Sequence, residues 1–258
     1  MKIGFIADIH EDLPSLKKAF KLLEKKGCEE LICMGDICGY SFPYYHYQKD
    51  RDASTCLELV RKKCQIIIPG NHDLHAARKT PLSNPGFDYP DDWYEMDFEV
   101  RKKLAKGKIW LYEDTELESN FSEADKDFIR GLPEFIFIEI DGKKILLSHY
   151  IYPDFTGSFT RSIPDKSFIN KHISFMDKNN CQLSFFGHSH VEGNWIIQKD
   201  TYRRNKGVKL GELDGITGIG LPCTVRGRNN PGISTYDSST GIIESYPLYP
   251  RLRRWLTY

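Results

Sequence analysis

Three short apolar runs, Lys2 to Ala7, Glu30 to Met34 and Gln65 to Pro69, are separated by two stretches of helical periodicity, and this alternation constrains the fold more than any other feature of the chain. Strands that alternate with helices argue for a largely parallel α/β half. The first intervening stretch, Leu13 to Lys26, carries apolar residues at Leu16, Ala19, Phe20, Leu22 and Leu23. Asp12 and Pro14 mark its start and Gly27 its stop. The second helix is expected over Ala53 to Lys63.

From Lys79 to Leu117 the alternation breaks. Pro81, Pro85, Gly86, Pro90 and Asp91 read as loop, followed by a helix carrying Trp93, Met96, Val100 and Leu104, and residues 79–117 are read as an insertion or cap. Ser122 and Asp125 have the spacing of a capping box, which opens a short helix ending near Gly131. Glu134 to Glu139 and Lys143 to Ser148, joined through Asp141-Gly142, form a hairpin signal, because Asp-Gly readily takes the φ > 0 conformations of a tight turn. A helix is expected near Asp165 to Lys178. Further strands are expected at Gln182 to Phe186 and around Trp195, Ile216, Ile233 and Ile242.

A length of 258 residues is enough to bury a full core and is read as a single domain spanning 1–258. With 36 Lys+Arg against 36 Asp+Glu, the chain has no global positive field to hold nucleic acid or anionic lipid. No stretch approaches the roughly 18 consecutive apolar residues of a membrane span, and the run Ile3 to Ala7 is too short for a secretory signal, so a cytoplasmic location is expected. The seven cysteines include no Cys-x-x-Cys pair and are read as reduced, mostly buried thiols.

Chemistry-bearing residues cluster just beyond the apolar runs: Asp8-Ile9-His10, Gly35-Asp36, Gly70-Asn71-His72-Asp73, Ser148-His149 and Gly187-His188-Ser189-His190. The carboxyl ends of strands in an open α/β sheet form one rim, so these blocks are expected to converge although far apart in sequence. Carboxylates and neutral imidazoles suit Zn²⁺, Mn²⁺ or Fe, and an x-y-x spacing at a strand end points two side chains in similar directions. Asp8, His10, Asp36, Asn71, His149, His188 and His190 make seven candidate ligands. That is more than one tetrahedral ion uses, but it suits two ions sharing a carboxylate.

In this order the blocks D-x-H, G-D, G-N-H-D, a later His and G-H-x-H resemble the calcineurin-like metallophosphoesterase superfamily. Gly35-Asp36-Ile37-Cys38-Gly39-Tyr40 is similar to the second block of its small bacterial and archaeal phosphoesterase branch. The resemblance implies a four-layer α-β-β-α sandwich with two central mixed β-sheets flanked by helices. It also implies metal-dependent phosphoester hydrolysis, as a phosphodiesterase or phosphatase, with a bridging hydroxide as nucleophile. By the same carry-over, Asp8, His10 and His190 hold one divalent ion, Asn71, His149 and His188 hold a second, and Asp36 bridges. Mn²⁺ is the expected ion, with Fe, Zn, Ni and Co as alternatives. His72 matches the histidine proposed to protonate the leaving oxygen, with Asp73 fixing its orientation. Arg226 or Arg228, in a late glycine-containing loop, is a candidate to grip a substrate phosphate. The expected partner is a small phosphoester or nucleotide.

Other features are weighed as structural. His46, His75 and His172 lie outside the blocks, with His75 the closest to function because it follows Asp73 by two. Cys38, inside the second block, is read as a small buried hydrophobe. The aromatics Tyr40, Phe42, Tyr44, Tyr45 and Tyr47 either stack on a substrate ring or pack against the 79–117 segment. The basic tail Arg251, Arg253 and Arg254 is read as a solvated end. A catalytically silent scaffold is opposed by the complete ligand set, and an enzyme acting on nucleic-acid ends by the neutral charge balance.

Overall fold

The structure is a computed structural model that describes residues 1–83, 86–159, 164–205, 209–210 and 215–250. The basic tail of the sequence lies outside the described residues. The chain begins with β1 (Lys2–Ile6), α1 (Leu13–Lys25), β2 (Glu30–Cys33), β3 (Tyr40–Ser41), α2 (Ala53–Lys63), β4 (Ile66–Ile67) and α3 (Asn71–Ala76). Then follow α4 (Phe98–Ala105), β5 (Glu116–Leu117), α5 (Glu123–Arg130), the hairpin β6 (Phe135–Ile140) and β7 (Lys143–Ser148), and α6 (Lys166–Lys178). The remainder is strand: β8 (Leu183–Val191), β9 (Asn194–Gln198), β10 (Thr201–Asn205), β11 (Lys209–Leu210), β12 (Thr217–Pro222), β13 (Gly232–Asp237) and β14 (Ile242–Pro247).

These strands build two six-stranded mixed sheets, in the orders β11-β14-β13-β1-β2-β4 and β10-β9-β12-β8-β7-β6. In the first, β1, β2 and β4 run parallel, as their crossover helices require. In the second, β7, β8 and β12 run parallel, while β6 and β7 pair Ile140 with Lys143 across the Asp141-Gly142 turn. The sheets meet face to face. Because side chains alternate along a strand, Ile3, Phe5 and Ala7 of the first sheet reach one core with Ile145, Leu147, Phe185 and Ile219 of the second, while Ile6 turns to the outer face. Phe5 and Phe185 stack with centroids 4.3 Å apart across this interface.

Each sheet has helices on its outer face. Leu16, Phe20 and Leu23 of α1 and Leu57 and Val60 of α2 cover the first sheet, and Ile169, Ile173 and Met176 of α6 cover the second. Asp12 caps α1 through the Ser15 N–H, and cutting fully buried Leu16 to Ala would cost about 2–5 kcal/mol. The four layers expected from the resemblance are therefore present. No helix among the described residues is long and apolar enough to cross a membrane. All seven cysteines are free thiols, six of them buried.

The 79–117 segment differs from its sequence reading. The helix starts only at Phe98, because the Asp97 carboxylate accepts the Glu99 N–H and ends the preceding turn. Trp93 and Met96 precede it, and Val100 and Leu104 remain 46% and 43% exposed, so the apolar spacing did not mark a buried stripe. A separate small core of Phe87, Trp93, Ala105 and Ile109 holds the segment instead. The last motif block also differs in form. Gly220 lies opposite Phe186 and Pro222 opposite Val191, so residues 187–190 bulge inside β8 rather than following its end.

Candidate metal centre

The parallel strands of the two sheets point their carboxyl ends to one place, and all five motif blocks lie there. Asp8 follows β1, Asp36 follows β2, Asn71 opens α3 after β4, His149 follows β7, and His188 and His190 sit on the bulge of β8. Ligand atoms of Asp8, His10, Asp36 and His190 lie within 4.8 Å of one another, as do those of Asp36, His149 and His188. Asp36 belongs to both groups. The Asn71 Oδ1 lies 3.1 Å from Nδ1 of His188, which places the amide beside the second group.

Local backbone geometry makes this crowding feasible. Asp8, His10, Asp36, His188 and His190 all have positive φ, between 46° and 63°, a conformation that costs a non-glycine residue of order 1–3 kcal/mol and persists only where the surroundings impose it. They do so through backbone bonds between the blocks: Asp8 N–H to Gly35 O, His10 N–H to Asp36 O, and Gly187 N–H to His149 O. The motif glycines allow the close approach. A Cβ at Gly70 would collide with the Asp36 carboxylate, and one at Gly35 with the Gly70 backbone.

Ring orientations are set from behind. Nδ1 of His10 faces Gly39 O at 2.8 Å, so that ring donates there and turns Nε2 inward as a lone pair. Nδ1 of His149 faces Met34 O at 2.5 Å and its Nε2 lies 3.1 Å from Asp36 Oδ2; burial alone would lower this ring, but the Asp36 charge outweighs it and raises the ring to about 9. The Asn71 Nδ2 donates to the Tyr112 hydroxyl at 2.6 Å, which turns Oδ1 towards the centre. Burial, then His72 and His190, hold His10 well below the usual imidazole range, and burial likewise lowers His188 and His190. These rings are neutral and suited to bind a cation. Asp36, despite burial, is held well below the carboxylate range by His149 and His72, and so remains an anion.

A metal fits this donor set. The residues are carboxylates, imidazoles and one amide oxygen, and Asp8 Oδ2 and His188 Nε2 are buried with no hydrogen-bond partner within the protein. Buried polar atoms aimed at a common point without partners are costly unless a cation or water satisfies them.

The other expected residues are placed as follows. His72 lies beside the centre, with Nε2 3.9 Å from Asp36 Oδ2. Asp73 does not orient it. The Asp73 carboxylate accepts instead from the Ile37, Cys38 and Gly70 N–H groups and so joins the second block to the third. The group at His72 Nδ1 is Glu116 Oε1, 2.5 Å away and off the N–H direction, so the contact is an ion pair rather than an aligned hydrogen bond. Burial alone would lower His72, but Glu116 and then Asp36 outweigh it and push the ring up to about 9.

Arg226 is likewise committed elsewhere. Its guanidinium forms a two-pronged pair with Asp12, Nε–Oδ2 and Nη2–Oδ1 each at 2.9 Å, and reaches Asp50 at 3.1 Å, so it anchors the 223–231 loop rather than facing the centre. Arg228 is exposed. Tyr40, Tyr45 and Tyr47 pack with Cys223 and Val225, and Tyr47 donates to His10 O at 2.8 Å, whereas Phe42 and Tyr44 are exposed. Cys38 is buried and donates to His72 O. His46 is exposed, and His172 is buried in α6 with Nε2 2.9 Å from the Ser184 hydroxyl. His75 lines a cavity of about 460 Å³ with Arg78, Tyr94, Arg101, Tyr112 and Glu116.

Sequence reasoning missed Glu11, Tyr112, Glu116 and Gly157. Glu11 is fully buried, pairs with Arg51 at 2.7 Å and accepts the Gly39 N–H; a charged residue directly after His10 was its only signal. Gly157, with φ +77°, lets the chain pass His188 where a Cβ would strike the ring. Tyr112 and Glu116 sit in a segment with no motif.

Comparison with known proteins agrees with this architecture. The chain is 25% identical over 213 residues to an uncharacterized protein of Methanocaldococcus jannaschii, an alignment covering 76% of this chain and 68% of that protein. Among solved structures, a metallophosphoesterase from Sphaerobacter thermophilus superposes with a TM-score of 0.65 at 20% identity, covering 97% of this chain and 89% of the other. A hypothetical protein from Pyrococcus horikoshii gives 0.56 at 15% identity, with the same coverage of 97% and 89%. Both likenesses concern the fold. The model of the calcineurin-like phosphoesterases matches residues 1–192, a span that contains all five motif blocks, and the chain belongs to that family.

Proposed function

We propose that the protein is a metal-dependent phosphoester hydrolase in which Asp8, His10 and His190 hold one divalent ion, Asn71, His149 and His188 hold a second, and Asp36 is shared. The observation that carries this reading is the pair of overlapping ligand groups, buried, joined through Asp36 and left with inward-facing atoms that no protein group satisfies. Two divalent ions, with Mn²⁺ expected first, would supply Lewis-acid neutralisation of the phosphoryl oxygens and activation of an attacking water. The protein's own groups do the rest. Neutral His10, His188 and His190 and anionic Asp36 present a preorganised donor set. His72, partly open to solvent and not needed as a ligand, is placed to hold a proton for the leaving oxygen. The six buried free thiols suit a reducing, cytoplasmic setting. The substrate expected is a small phosphoester or a nucleotide.

The test is hydrolysis of bis(4-nitrophenyl) phosphate and 4-nitrophenyl phosphate by chelator-stripped protein, with and without added Mn²⁺. Turnover restored by the ion supports the reading, and the ratio of the two rates separates phosphodiesterase from phosphatase. Metal binding with no turnover of either ester would refute it in favour of a silent scaffold.

A further inference from the structure

We propose that Glu116, carried to the centre by the 79–117 segment, is the positioning residue for His72, an assignment that rests on the hydrolase reading above. Glu116 lies on β5, which pairs antiparallel with β3 in the register Ser41↔Glu116 and Tyr40↔Leu117. Because β3 directly follows the second motif block, this two-stranded ribbon ties the height of Glu116 to that of Asp36 and Gly39.

The His72 ring is confined on its remaining sides. Gly39 lies beneath it, where a Cβ would collide with the imidazole. The Tyr112 ring packs 4.6 Å away and the His10 ring meets it edge-on at 4.8 Å. Packing alone leaves the two flips of an imidazole nearly equivalent in shape, since only the positions of nitrogen and carbon exchange. A carboxylate 2.5 Å from Nδ1 breaks that equivalence. With Glu116 at Nδ1, the other nitrogen faces Asp36 and the space where a phosphoester would lie. Glu116 touches no candidate ligand and no reacting atom, so its effect passes through His72. Asp73, the nearest carboxylate in sequence, is occupied by three backbone N–H groups and is not available for this task.

The experiment measures Glu116→Ala and Glu116→Gln in the wild-type and His72→Ala backgrounds, using an aryl ester whose leaving group needs little protonation, so that the double variant still turns over. On this ester Glu116→Ala is expected to lower kcat by no more than His72→Ala does, and on an alkyl ester by about 10–100-fold, with KM and metal content unchanged. Glu116→Gln, isosteric but uncharged, removes the ion pair and should recover little of that loss. In the His72→Ala background Glu116→Ala should cost nothing further, and an equal loss in both backgrounds would overturn the proposal. Long-range ¹H–¹⁵N spectra of the metal-free protein provide a readout independent of turnover. The wild type should show one fixed His72 ring with a proton at Nδ1, and Glu116→Ala an averaged one; an unchanged ring overturns the proposal. If the wild type hydrolyses nothing, the hydrolase reading fails, and the spectra alone decide whether Glu116 orients His72.

Discussion

The ε nitrogens of His10 and His190 face each other at 3.0 Å across 180 residues of chain. Nδ1 of His10 is committed to Gly39 O, so its ε nitrogen accepts from that of His190. Two imidazoles beside anionic Asp36 form a pocket for a cation once that shared proton leaves. Asp36→Asn and His149→Ala are therefore expected to abolish metal-dependent turnover and lower the metal content per chain, with far-UV circular dichroism unchanged. Wild-type activity in either variant contradicts the shared site.

His72→Ala should behave differently from the ligand variants. Metal content stays at the wild-type level while kcat falls about 10²–10⁴-fold for alkyl esters. The fall is smaller for 4-nitrophenyl esters, whose leaving oxygen needs no proton. Loss of equal size across a leaving-group series argues against proton donation by this ring.

Tyr112→Phe removes the hydroxyl that accepts the Asn71 amide at 2.6 Å and leaves a buried N–H without its partner. The amide then no longer has a reason to keep Oδ1 inward. Metal affinity is expected to drop about 10–100-fold, and stability to fall by about 1–3 kcal/mol. Calorimetric metal titration reads the first and urea unfolding the second.

Gly157→Ala places a Cβ against the His188 ring at φ +77°. Both the clash and the left-handed backbone oppose it, at a cost of about 1–3 kcal/mol. Metal occupancy should fall with stability, because relief of the clash displaces His188. A variant as stable and as fully loaded as the wild type contradicts the close approach.

His172 controls a pH dependence remote from the candidate metal centre. Burial pushes its pKa down to about 3, from 6.5 in the unfolded chain. Above pH 6.5 both states are neutral and the native contacts to Tyr152 N–H and Ser184 Oγ are kept. Below it the unfolded chain takes up a proton that the native protein refuses, so this contribution to stability is lost as pH falls from about 6.5 towards 3. The slope is about 1.4 kcal/mol per pH unit for one proton. Urea midpoints between pH 7 and 4 should fall more steeply for the wild type than for His172→Gln. Parallel curves show that His172 does not titrate on unfolding.

The sequence by itself determined the parallel core and which side chains converge on the centre. Apolar runs of strand length separated by amphipathic helices leave only parallel pairing for β1, β2 and β4, and a motif residue directly after a strand inherits its position from that strand. The Asp141-Gly142 turn and the capped helices were legible for the same reason, since the atoms that decide them lie within a few residues. What only the tertiary structure decided depends on partners distant in the chain. Asp73 and Arg226 are charged residues beside the motifs, yet backbone N–H groups of residues 37 and 38 claim the first and Asp12 and Asp50 claim the second. Glu116 and Tyr112 reach the centre from a segment held by its own small core, and no local pattern marks a side chain whose only distinction is where a fold carries it. The positive φ values at Asp8, His10, Asp36, His188 and His190 belong with these. Each is unfavourable locally and is imposed by hydrogen bonds from another block, so the geometry of the centre is a property of the assembled sheets and of no single stretch of sequence.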